Sequence, residues 1–170
     1  MTTNRTLNVF SASNSKGDSY LGEIDAVLRQ LGKFETVDGA LKMLGYKLDY
    51  GVKVWLKRRR SKRIFSSASY TENCIYINPA MNHPQFKREL TETILKAIGH
   101  FAYTPIGGDR LMLKGHSPKW KKVVRCFGVH RPKATSDYPE LMHFMRHGVM
   151  PPPPNNRRAA IEATRIKMQG

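Results

Sequence analysis

The segment between Pro84 and Pro105 most restricts what this chain can fold into. Proline is accepted in the first turn of a helix and cannot continue one from within, and no proline interrupts the residues between these two. Phe86, Leu90, Ile94, Ala97, Ile98 and Phe101 recur at helical spacing. The stretch therefore reads as one long amphipathic helix, with Asn82 or His83 before its first turn and its end near Tyr103. A helix with one apolar face must be covered, and the chain just before it supplies the cover. Val52, Val54 and Leu56 alternate with Lys53, Trp55 and Lys57; Ile64 and Phe65 open a second extended stretch; Cys74-Ile75-Tyr76-Ile77 forms a third, ended by Asn78-Pro79. A three-strand meander is the economical arrangement. The expected class is α+β: a small antiparallel or mixed three-stranded sheet packed with the long helix and flanking helices.

The flanks follow the same logic. Asp18 or Ser19 can cap a helix whose inner face is Leu21, Ile24, Val27, Leu28 and Leu31, stopped by Gly32. Thr36 can cap a shorter one with Val37, Leu41 and Leu44 inward, stopped by Gly45. Beyond the Gly107-Gly108-Asp109 loop, Ser117-Pro118 opens a helix with Trp120, Val123, Val124 and Phe127 on its apolar face and Gly128 as its stop. Residues 137–147 form one more short helix. Pro151 to Pro154 is a stiff extended spacer, followed by a basic, helix-capable tail. The organisation expected is a flexible lead-in over 1–19, one α+β domain over 20–150, and a spacer and tail over 151–170, the tail being a place for a protein partner or for self-assembly.

Composition narrows the function classes. A chain of 170 residues suits a single core. No apolar run approaches the roughly 18 residues of a membrane span, and the polar first residues lack the apolar centre of a secretory signal. Cys74 and Cys126 are too few for a disulfide framework or a four-thiolate zinc site. These features point to an intracellular protein, cytoplasmic or nucleoid-associated, or to a virion component, with no membrane partner. The formal net charge is +16, which calls for a polyanionic partner, most often nucleic acid.

Two segments carry a resemblance. One is Leu95-Lys96-Ala97-Ile98-Gly99-His100, late in the long helix; the other is Gly115-His116-Ser117-Pro118-Lys119-Trp120. Together with the Ile75-Tyr76-Ile77-Asn78-Pro79 strand and turn, and with Val54-Trp55-Leu56 before an arginine-rich run, they resemble the SprT-like family of zincin metallopeptidases over residues 46–129. That family places a His-Glu-x-x-His helix after such a strand and takes its third metal ligand from a Gly-His-Gly-Pro-x-Phe/Trp motif. The resemblance implies that His100 matches the second helix histidine and His116 the third ligand.

The departures decide the chemistry. The first histidine position holds Lys96 and the glutamate position holds Ala97. A protonated lysine has no lone pair for zinc, and alanine has no base to take a proton from metal-bound water. The expectation is a SprT-like scaffold that is not an enzyme, with His100 and His116 as vestigial ligand positions, no catalytic residue and no cofactor. A single histidine beside an apolar stripe packs or hydrogen-bonds more often than it ligates.

Two stretches are basic and free of acid. Residues 51–65 hold Lys53, Lys57, Arg58, Arg59, Arg60, Lys62 and Arg63; residues 110–133 hold Arg110, Lys114, Lys119, Lys121, Lys122, Arg125, Arg131 and Lys133. From these, Lys57, Arg58, Arg59, Arg60, Lys62, Arg63, Lys119, Lys121, Lys122 and Arg125 are the candidate nucleic-acid contacts, DNA being favoured by the resemblance. Trp55, Phe65, Tyr70 and Trp120 lie among the charges; Trp120 is expected in the core. The leading expectation is a catalytically inactive nucleic-acid-binding protein. The alternatives are a structural component of a nucleic-acid-containing assembly such as a virion, and a metallopeptidase with a modified metal site.

Overall fold

A computed structural model of the chain describes residues 13–58, 62–110, 112–133 and 138–153. In chain order its elements are β1 (Ser19–Glu23), α1 (Ile24–Gln30), α2 (Phe34–Met43), β2 (Tyr46–Leu48), β3 (Lys53–Leu56), β4 (Ser66–Ser69), β5 (Cys74–Ile77), α3 (Lys87–Phe101), β6 (Tyr103–Pro105), α4 (Pro118–Cys126) and α5 (Pro139–His147). Two short 3-10 turns, Pro79–Asn82 and Pro84–Phe86, lead into α3. The α+β class holds. Among the described residues no helix is long and apolar enough to cross a membrane.

The main sheet has four strands rather than three, in the order β1-β3-β5-β4. It is not a meander: β3 and β5 pair in parallel, while β1 and β4 flank them antiparallel. The additional strand, β1, occupies residues expected to open a helix. Leu21 and Ile24 are both fully buried, one from a strand and the other from the first turn of α1. Their spacing therefore looks helical although the backbone changes type between them. Gly22, at φ 139°, sits where the β1–β3 register slips, a conformation glycine adopts readily. Two further boundaries move. The second helix begins at Phe34, ahead of Thr36, with Phe34 buried beneath the Arg29 guanidinium at 3.6 Å. The long helix ends at Phe101, because Tyr103–Pro105 pairs with Tyr46–Leu48 in a second, two-stranded sheet.

A parallel β3–β5 pair forces the chain between them across the end of the sheet to reach β4. The described residues at the two ends of that connection are both tied. Asp18, 3 % exposed, accepts from the Arg58 backbone N–H at 2.8 Å. At the other end Asn78 donates its backbone N–H to the Phe65 carbonyl at 2.8 Å and its Nδ2 to the Ile64 carbonyl at 3.2 Å. Residues 14–18 of the expected lead-in form a tight turn in which Asn14 Oδ1 accepts from the Lys16 and Asp18 N–H groups. Arg59 and Arg60 lie outside the described residues, as do residues 1–12 and 154–170.

β3 presents Val54 and Leu56 to the core, and β5 is buried along its whole length. α1 and α3 pack on the main sheet, while α2 packs on β2 and against α1 and α4. α4 packs across α3 at Gly99, where an added Cβ would lie 2.5 Å from Val124 Cγ2 and 3.0 Å from Trp120 Nε1. Trp120, 1 % exposed, donates its Nε1–H to the Lys96 carbonyl at 3.2 Å, and so stands in the core as its position in the sequence led us to expect. Ser117 caps α4 by accepting from the Trp120 N–H, with Pro118 in the first turn. Gly99→Ala should therefore lower stability by about 1–3 kcal/mol through overpacking. Urea denaturation would show it, and an unchanged midpoint would mean that α4 does not need this close approach.

Candidate functional site

The end of α3, the β4 edge and the loop leading into α4 enclose a cleft of about 760 Å3. Thr93, Lys96, Ala97 and His100 line it from α3, Ser66 to Ala68 from β4, and Met112 to His116 from the loop. Main-chain bonding fixes the loop: the Leu113 N–H donates to the His100 carbonyl at 2.8 Å, and Gly115 is in contact range of His100, since a Cβ there would lie 3.2 Å from Cε1. His116 takes a left-handed backbone, φ 68°, uncommon for a residue with a side chain. The ring centroids of His100 and His116 lie 6.0 Å apart, edge to face, and both pack on Trp120, His100 stacked at 5.2 Å and His116 edge-on at 5.1 Å.

The structure thus brings together the two histidines that the sequence separates by sixteen positions, with Lys96 and Ala97 on the same wall. The Lys96 ammonium lies over the Tyr138 ring at 5.7 Å, and Tyr138 donates its hydroxyl to Glu92 at 2.8 Å. Burial pulls the Lys96 pKa below the ordinary lysine value, and the Glu92 charge raises it part of the way back. The donors do not fit a catalytic zinc. Such a site takes three protein lone pairs and keeps a position for water, whereas this wall offers two imidazoles, an ammonium and a methyl. Among the described residues no three His, Cys, Asp or Glu side chains gather closely enough to hold a metal ion.

Of the sequence-derived nucleic-acid contacts, Arg63 lines the cleft. Lys57, Arg58, Lys62, Lys119, Lys122 and Arg125 are exposed elsewhere, and Lys121 is half-buried on α4. The Lys57 ammonium stands 5.4 Å from the Tyr76 ring and that of Lys119 5.6 Å from the Tyr46 ring. Sequence reasoning placed Lys114 and Lys133 in the second basic stretch but did not single them out. Both line the cleft with Arg63 and Lys96, and among the described residues no Asp or Glu does. Arg110 has a structural role: it pairs with Asp49 at 3.3 Å and lies over the Tyr70 and Phe101 rings. No family model, curated protein or solved structure matches this chain.

Burial, and then the neighbouring His116, push the His100 pKa below its ordinary 6.5, while a hydrogen bond with the Leu113 backbone pulls the other way. The unfolded chain therefore takes up this proton first. Above the unfolded pKa both states are neutral at His100 and stability is complete; as pH falls below it, stability is lost until the folded state also protonates. His100→Gln should shrink the fall in melting temperature between about pH 7.5 and about pH 5.5. An identical fall in wild type and variant would show that His100 does not carry this loss.

Proposed function

We propose that this chain is a nucleic-acid-binding protein without hydrolytic activity, built on a scaffold that resembles the SprT-like family. The supporting observation is a convergence. Arg63 from the first acid-free stretch and Lys114 and Lys133 from the second line one cleft together with Lys96, with no carboxylate among the described lining residues. Separate basic runs are ordinarily just solvated surface. Two runs that meet at one concavity concentrate positive potential there and release counterions from a phosphate chain. The resemblance favours DNA.

Binding should be largely indifferent to sequence and should weaken steeply between about 50 and 200 mM salt. Changing Arg63, Lys114 and Lys133 together to Glu should flatten that salt dependence by about two to three phosphate contacts and weaken binding at least tenfold, roughly. Anisotropy titrations with labelled single- and double-stranded DNA and RNA test both expectations. Salt-independent binding, or a triple variant equal to the parent, would rule the reading out.

The absence of peptidase chemistry is tested separately. Purified wild type should carry no stoichiometric zinc. Lys96→His, one helical turn before His100, should gain about one zinc per chain and a zinc-dependent rise in melting temperature. Peptide hydrolysis should stay absent while residue 97 is alanine. Elemental analysis decides: one zinc per wild-type chain would overturn the non-hydrolytic reading.

A further inference from the structure

The cleft has depth as well as a charged rim. Its volume of about 760 Å3 lies within the roughly 300–1,000 Å3 of pockets that enclose small organic ligands. Contact with a duplex backbone needs no such depth. The half-buried Phe65 and Leu113 and the buried Phe101 give the lining apolar and aromatic surface, and the exposed Tyr70 ring adds to it. Cations at the mouth and ring faces behind them select a ligand with an anionic end and a flat body. Inorganic phosphate alone would leave the aromatic walls without a partner.

A second, independent observation comes from α3. Thr93 lines the cleft, is 5 % exposed, and its Oγ1 has no hydrogen-bond partner among the described residues. An unsatisfied buried hydroxyl destabilises the free protein, and native structures rarely retain one without a use for it. A flat ring with carbonyl or amino groups on its edge would give that hydroxyl a partner. Ala97, on the same wall, adds only a methyl and keeps the space open.

We infer that the cleft seats one unpaired nucleotide of a single strand, its base between the β4 edge and α3 and its phosphate at the mouth formed by Arg63, Lys114 and Lys133. This rests on the nucleic-acid reading above and adds that the strand must be open. A base inside a duplex reaches such a pocket only by leaving its stack, whereas a single strand presents it freely.

The probe is a DNA single strand of about twelve nucleotides carrying a central 2-aminopurine, compared with the blunt duplex of the same sequence. Wild type should bind the single strand about tenfold more tightly than the duplex at equal salt, with a change in 2-aminopurine fluorescence as the base meets a ring. Ala68 is exposed and sits opposite Ile75 in register, so its side chain lies on the helix-bearing face of the sheet, beside the cleft. Ala68→Leu adds bulk to the cleft without changing its charge and should cut the tenfold single-strand preference to about twofold or less. Thr93→Val keeps the shape and removes the hydroxyl; it should raise the melting temperature of the free protein while weakening the single strand about fivefold. Equal affinity for the two probes in wild type, or an undiminished tenfold preference in Ala68→Leu, would overturn the pocket and leave the general nucleic-acid reading intact. Binding of neither probe would overturn the general reading itself.

Discussion

Asn78 is the residue on which most of this architecture depends. It closes the central strand β5, is 6 % exposed, and spends its polar groups in three directions. Its backbone N–H and Nδ2 hold the carbonyls of Phe65 and Ile64, and its Oδ1 accepts from the Ala80 N–H to start the turns that lead into α3. One side chain thus fixes where the basic crossover lands and where the long helix begins. Both bound the cleft: β4 begins directly after Phe65, and α3 supplies the opposite wall. An apolar residue at this position would leave the Ile64 carbonyl and the Ala80 N–H without these partners at a part-buried junction, which is unfavourable for the fold.

The opposite side of the cleft depends on a missing side chain. Because Gly99 has no Cβ, Trp120 and Val124 approach the α3 backbone directly, and the indole reaches the Lys96 carbonyl. This places the first turn of α4, and the loop before it, against the last turn of α3. His100 and His116 then share the Trp120 surface, and Lys114 is carried to the rim. Backbone proximity and ring packing assemble this side of the site.

Local signals were legible in the sequence, and tertiary ones were not. Ser117-Pro118 announced the start of α4 because capping is settled within one turn, and the stripe from Phe86 to Phe101 announced α3 because its period is regular. β1 was misread because Leu21 and Ile24 enter one core from two element types, so their spacing carried no information on the backbone. The parallel β3–β5 pairing was hidden because the intervening chain looks like an ordinary hairpin run. The meeting of His100 with His116 was anticipated only through the resemblance. The gathering of Arg63, Lys114 and Lys133 around one cleft could not have been read from charge runs, since which lysine of a run turns inward depends on how the loop lies against α3.

The placement of several acids bears on the charge of the described cleft lining. The chain has 13 acidic residues against 29 basic ones, and several of the acids are committed to structure away from the rim. Asp18 holds the Arg58 backbone, Asp49 pairs with Arg110, Asp38 with Lys42, Glu72 with Lys16, and Glu92 accepts from Tyr138. The exposed pairs among these contribute little stability individually. Three of the acids, Asp38, Asp49 and Glu72, offset cations away from the cleft, whereas Glu92 acts electrostatically on Lys96 at its wall. Arg63 and Lys114 belong to two different segments that line one concavity, so a phosphate reaching both would couple the segment before β4 to the loop before α4.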